Sequence, residues 1–314
     1  MVAVALLCPG QGAQRVGMGK DLAERFPAAR EVFELIDDAL GLPLSRLMRD
    51  GPESELTLTH NAQPAILAHS LAVLAVVRAA VNPLVAAGHS LGEYAAYAAA
   101  DALSLADAAR LVRRRGQLML VAGEERPGTM AAVLGLAAEQ VEAACREVTG
   151  SGEQGIAVPA NINAPDQVVI SGDPAAVELA GERCTALGAK RVVPLKVSGA
   201  FHSPLMQPAR RGLEGELARV TFRDPRFPVV PNVNAQPVRE AAVARRLLGE
   251  QLTSPVRWVD CMRAVAETGG EGVTFLEIGP GTVLAGLLRR VVPGAASASL
   301  GGADDVQTFL DRAA

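Results

Sequence analysis

Aromatic side chains make up only 3% of this sequence, with seven Phe, two Tyr and a single Trp, Trp258. A core must therefore come from Leu, Val and Ala, and a 49% hydrophobic fraction over 314 residues is enough to build a substantial one, which excludes a disordered chain. Cysteine is scarce as well. Cys8, Cys145, Cys184 and Cys261 lie far apart without C-x-x-C pairing, so no zinc site and no disulfide framework is indicated, and reduced thiols fit best. Charge of one sign is also missing: the formal net charge is -4, with a pI near 5.7. That mild balance argues against nucleic acid as the main ligand, because a phosphate-binding footprint shows as a basic domain. The pairs Arg210-Arg211, Arg245-Arg246 and Arg289-Arg290 read as solvated surface. The apolar stretch 2–7 has no basic residue before it and is too short for a signal peptide, so it reads as a first strand. The longest apolar helix candidate, residues 64–81, carries His69, Ser70 and Arg78, and falls short of an uninterrupted membrane span of roughly 20 residues. A cytoplasmic protein without membrane or nucleic-acid partners is expected.

What is present is ordered. Between 130 and 197 the hydrophobic period alternates between two and 3.6 residues. A strand at 130–135 and a helix at 137–148 precede two strands, 156–162 and 167–171, separated by the turn-forming Asn163-Ala-Pro-Asp166. A helix at 174–187, with Gly188 as its C-cap, and a strand at 191–197 complete the segment. The order β-α-β-β-α-β is that of a split ferredoxin-like unit. It predicts a small subdomain, 128–197, inserted into a mainly parallel α/β domain built from 1–127 and 198–314.

Gly88-His89-Ser90-Leu91-Gly92 places a serine between two glycines at G-x-S-x-G spacing. A strand at 81–87 and an alanine-rich helix at 93–100 flank it, as a nucleophile elbow requires: the serine stands at the apex of a sharp turn, at a helix N-terminus that favours a developing anion.

A serine hydroxyl needs a base, and the chain has four histidines. His89 ends the strand and points away from the apex, as a pocket wall. His69 falls in an apolar helix and reads as a core residue, while His60 sits in a polar loop. His202, in Ser198-Gly-Ala-Phe-His-Ser-Pro204, lies where the chain crosses back from the subdomain, the position in which inter-domain active sites collect their residues.

The loop Leu6-Leu-Cys-Pro-Gly-Gln-Gly-Ala-Gln14 invites a dinucleotide-binding reading, which fails because the third glycine of G-x-G-x-x-G falls on Arg15. A loop offering main-chain N–H groups to an oxyanion, with the N–H of Leu91 as second donor, is the better reading. In the helix 104–121, positions 105, 108, 109, 112, 116 and 119 form the apolar stripe. Arg114 points away from it, Arg113 lies at one edge, and Arg115 sits on the other border among Leu111, Val112, Leu118 and Met119. A buried arginine needs an anionic partner, which is either an internal carboxylate or a substrate carboxylate held by two hydrogen bonds.

Together with Gln63-Pro-Ala65, Arg115-Gly116, Gly199-Ala-Phe-His-Ser203, Ser254-Pro-Val-Arg-Trp258 and Glu277-Ile-Gly-Pro-Gly281, these motifs cover essentially the whole chain. They resemble the malonyl-CoA:acyl carrier protein transacylases and the acyltransferase domains of polyketide synthases. The resemblance implies an α/β-hydrolase-like large domain with an inserted ferredoxin-like subdomain. It implies Ser90 as nucleophile and His202 as base, the Gln11 and Leu91 amides as oxyanion hole, and Arg115 as the site of the malonyl carboxylate. The main-chain carbonyl of Gln251 would orient the histidine, a role that tolerates Ser254 where the family often carries Asn. Phe201 and His89 would set acyl specificity. Implied too are a ping-pong malonyl transfer from coenzyme A to a carrier-protein thiol for fatty acid or polyketide chain extension, no cofactor or metal, and a monomer. A thioester hydrolase of the same fold and a silent carrier-protein adaptor are the alternatives.

Overall fold

Val4, Leu6 and Cys8 of the first strand belong to one hydrophobic core, and Ala5 and Leu7 to another. The strand is therefore buried on both faces, as its unbroken apolar sequence requires. Among residues 1–313, which the computed structural model describes, nine strands form two sheets. In chain order they are β1 (Val2–Cys8), β2 (Val81–Gly88), β3 (Thr129–Leu134), β4 (Ala157–Ala164), β5 (Gln167–Gly172), β6 (Arg191–Pro194), β7 (Val229–Val230), β8 (Thr274–Ile278) and β9 (Ser297–Leu300). The large sheet has the order β7-β2-β1-β8-β9 and is parallel throughout. Helices cover both of its faces, as parallel sheets require.

The small sheet, β4-β5-β3-β6, is antiparallel. Every strand of it lies within 129–194, with the helices Ala138–Ser151 and Pro174–Ala186 placed between strands as the sequence order anticipates. Its own core is formed by alternate strand residues, Ala131 and Val133, Val168 and Ile170, against Val141, Cys145, Val177 and Cys184 of the two helices. A seam joins the two units: Ile162 donates to the Val256 carbonyl at 2.9 Å, and Val256 donates to that of Ala160 at 2.8 Å.

Two prolines sit where local rules disfavour them. Pro83 lies inside β2, and a register shift accommodates it: Val4 pairs with Pro83 but Ala5 with Val85, leaving Leu84 as the extra residue of a bulge. Pro64 reads in the sequence as the start of a helix, yet the helix runs Thr59–Val77 with Pro64 inside it. The carbonyl that its missing N–H would have bonded, that of His60, accepts from Arg113 Nη1 at 3.3 Å instead. At 19 residues this helix is long and apolar enough to cross a membrane, contrary to expectation, and most of it is buried as a central core element. All four cysteines are buried.

Backbone segments approach closely where β2 ends. A Cβ on Gly88 would collide with the Gly92 backbone, and one on Gly92 with the Cys8 carbonyl. Backbone on both sides leaves no room for relaxation. Gly150, in contrast, lies in a helix with open space around its Cα. The same substitution should therefore act in opposite directions. Gly92→Ala is expected to lower stability by about 1–3 kcal/mol, and Gly150→Ala to raise it by about 0.4–1 kcal/mol. Thermal unfolding followed by circular dichroism checks the sign of each.

Candidate active site

Ser90 is positioned by backbone geometry first. It stands between β2 and the helix Gly92–Ala99 with φ at 52°, one of four non-glycine residues with positive φ among those described. Asn232 secures the turn from both sides. Its Oδ1 accepts from the Ser90 main-chain N–H at 2.8 Å, and its Nδ2 donates to the Gly88 carbonyl at 2.8 Å.

His202 shares the strained conformation, with φ at 56°. Its loop is held by Ser203, whose buried hydroxyl donates to the Ala200 carbonyl at 2.6 Å and accepts from the Leu205 N–H at 3.2 Å. His202 Nε2 lies 2.8 Å from Ser90 Oγ. On the far side of the ring, Nδ1 faces the main-chain carbonyls of Gln251 at 3.0 Å and Ser254 at 3.2 Å. Both partners can only accept, so Nδ1 carries the proton and Nε2 presents a lone pair to the serine. The Gln251 carbonyl thus shares Nδ1 with that of Ser254. Burial and the nearby Arg115 charge push the His202 pKa down to about 3, against the two carbonyl acceptors that favour its protonated form. The imidazole is thus neutral across the physiological range.

Arg115 is 1% exposed. Its Nη2 donates to Ser90 Oγ at 2.9 Å and to Gln251 Oε1 at 3.0 Å, and its Nη1 to Gln63 Oε1 at 2.7 Å. The Tyr94 ring centroid lies 5.9 Å from its guanidinium carbon. No carboxylate among the described residues comes within ion-pair distance of it, and Nε has no partner. An internal salt bridge, one of the two readings of this arginine in the sequence, is therefore absent. Amide oxygens solvate the cation while leaving its charge uncompensated.

The loop after β1 lies across the elbow: a Cβ on Gly10 would come within 2.9 Å of the His89 carbonyl oxygen. Among the described residues the main-chain N–H groups of Gln11 and Leu91 find no acceptor. The His89 ring turns away from Ser90, with Nε2 at 2.8 Å from Asn163 Oδ1 and an edge-on contact with Trp258 at 5.3 Å between centroids. Phe201 is buried beside Gly199 in the main core. His69 is a core residue, with Nε2 at 2.9 Å from the Gly301 carbonyl oxygen. No group of three or more metal-ligating side chains converges among the described residues.

Three site residues have no role in the sequence reading: Asn232, Gln63 and the side chain of Glu93. Gln63 stands inside a motif that carries the family resemblance and Glu93 directly follows the G-x-S-x-G pentapeptide, which is the signal that points to them. Asn232 follows the two-residue strand β7 and carries no such mark.

Comparison with known proteins identifies the family. The acyl transferase domain family matches residues 5–308. A malonyl CoA-acyl carrier protein transacylase of Bacillus subtilis (strain 168) is 46% identical over 293 residues, 93% of this chain and 91% of its own length. The crystal structure of an acyl carrier protein S-malonyltransferase from Vibrio cholerae superposes with a TM-score of 0.92 at 38% identity, covering 98% of this chain and 99% of that one. A malonyl-transacylase solved in complex with its type II PKS acyl-carrier protein gives 0.93 at 42% identity, covering 98% and 99%. Motifs, fold and site thus converge, and the chain belongs to the acyl transferase family, within its malonyl CoA-acyl carrier protein transacylase group.

Proposed function

We propose that this enzyme moves a malonyl group from malonyl-CoA to the phosphopantetheine thiol of an acyl carrier protein by way of a malonyl-Ser90 ester. The observation that carries this reading is Arg115: a buried guanidinium beside the serine hydroxyl, with no protein carboxylate to pair it. A malonyl carboxylate supplies the missing anion through two parallel hydrogen bonds.

In the first half-reaction His202 Nε2 takes the Ser90 proton as Oγ bonds to the thioester carbonyl carbon. The resulting oxyanion is received by the Gln11 and Leu91 amides. Collapse breaks the carbon–sulfur bond, and the proton on Nε2 passes to the departing coenzyme A sulfur. The second half-reaction retraces these steps. The carrier thiol gives its proton to His202, its sulfur bonds to the ester carbonyl, the carbon–Oγ bond breaks, and Ser90 recovers its proton. Coenzyme A and carrier sulfur occupy the same place in turn, which gives ping-pong kinetics. Phe201 and His89 are assigned here to the walls that limit the acyl group. A hydrolase would pass the acyl group to water instead, and a carboxylate-reading cation is of no use to an enzyme clearing varied acyl chains.

Incubation with malonyl-CoA should add one malonyl mass to the wild type and none to Ser90→Ala; labelling of the variant in intact-protein mass spectrometry refutes the nucleophile. Arg115→Ala should collapse the preference for malonyl- over acetyl-CoA, a discrimination on the order of 10⁴ where a mismatch strands buried polar groups. An unchanged preference in a competition assay removes Arg115 from substrate recognition. Because His202 stays neutral well below the usual histidine range, kcat/KM for malonyl-CoA, which reports the free enzyme, should stay level as pH falls through 6.5. A fall centred near 6.5 contradicts the assignment of His202 as a base already deprotonated.

A further inference from the structure

Gln251 is the point through which the three chemical groups of the site are connected. Its main-chain carbonyl holds His202 Nδ1, its side-chain Oε1 accepts from Arg115 Nη2, and its Nε2 donates to the Ser90 carbonyl at 3.0 Å. A side-chain amide has two orientations that differ only in which end presents a donor. Reversed, Gln251 would aim its NH₂ group at a guanidinium that has only donors to offer, and Arg115 would lose a partner inside a sealed site.

Glu93, fully buried on the helix that follows the elbow, reinforces the orientation that the Ser90 carbonyl favours and accepts the shorter of the two hydrogen bonds. Its Oε2 accepts from Gln251 Nε2 at 2.7 Å, so the amide nitrogen is pinned on that side and Oε1 is left facing Arg115. The same oxygen accepts from the Asn232 main-chain N–H at 2.9 Å. Asn232 in turn holds the Ser90 turn by its side chain. The other carboxyl oxygen, Oε1, is buried with no donor facing it. One oxygen thus accepts twice, and burial pushes the Glu93 pKa up to about 7, against these hydrogen bonds and the nearby Arg115 charge.

We propose that Glu93 is the positioning residue of this site: through Gln251 and Asn232, a single accepting oxygen sets the geometry of serine, histidine and arginine together. The inference rests on the reading of Ser90 as the acyl-accepting nucleophile. It assigns Glu93 no contact with substrate and no proton of the reaction.

The test compares Glu93→Leu, which removes the acceptor, with Glu93→Gln, whose amide oxygen can accept both hydrogen bonds. Single-turnover malonylation of Ser90 and the malonyl-over-acetyl ratio are measured for each. The ratio is the decisive readout, because it does not depend on how much of a variant is folded. Glu93→Leu should slow malonylation by about 100-fold, as a small misplacement of reacting groups does, and lower the ratio by about tenfold or more as Arg115 loses its alignment. Glu93→Gln should recover most of both losses. A leucine variant with the wild-type ratio, or a folded glutamine variant as impaired as the leucine one, overturns the proposal. If the leucine variant yields no folded protein, Glu93→Asp, whose oxygen is retracted by one methylene, carries the same expectation, and a wild-type ratio in it is equally fatal. Failure of the wild type to become malonylated at Ser90 would instead defeat the functional reading on which the proposal stands.

Discussion

An arginine cation sealed from water without a carboxylate of its own is the constraint on which the rest of the site depends. Burial of an unpaired charge is costly, and two glutamine oxygens and one serine oxygen only partly replace the water it has lost. Each of those oxygens has to be aimed, which explains why the surroundings of Ser90 are so densely hydrogen-bonded. The same charge reaches across to His202, where it adds to burial in keeping the imidazole unprotonated. A neutral imidazole and an uncompensated cation beside the serine are thus linked through one side chain.

The candidate site residues that meet at Ser90 Oγ were legible in the sequence because each obeys a short-range rule. Ser90 is marked by glycine spacing, and the structure shows the reason in backbone contacts that admit no Cβ at either glycine. His202 is found by elimination among four histidines, and Arg115 by helical periodicity, which places it at the border of the apolar stripe. The subdomain was legible for a similar reason: six elements with alternating periods appear in one unbroken segment. The supporting side chains were not legible: Gln251 was expected for its main-chain carbonyl alone, and Asn232 had no mark at all. Asn232 and Gln251 reach Ser90 across 142 and 161 positions of sequence, from the end of a two-residue strand and from a short 3-10 turn. Neither element has enough length to show a period. Pro64 misled for the opposite reason, since the local rule for proline at a helix start was outweighed by Arg113, which satisfies the carbonyl that a proline in a helix leaves free.

Ser90 and His202 both occupy the left-handed region of backbone space, where side chains other than glycine are seldom found. They come from opposite sides of the inserted subdomain, so folding must bring two strained turns together from distant segments. The buried amides around them have a mechanical role as well as an electrostatic one. Asn232, from the segment after the subdomain, closes the turn that carries the serine, and the Gln251 and Ser254 carbonyls of that same segment fix the ring of the histidine, so that both strained turns are held by hydrogen bonds from one part of the chain.

The four buried cysteines have a meaning particular to a catalyst that hands an acyl group from one sulfur to another. Burial pushes every one of these thiols up from the ordinary cysteine value, so none is a thiolate near neutrality. A reactive cysteine on the surface would compete as an acceptor for the activated acyl group, or exchange with coenzyme A and the carrier arm into a mixed disulfide. With its own sulfur chemistry silenced, the protein stays a bystander to thiol exchange and leaves a single oxygen as the only stop on the route.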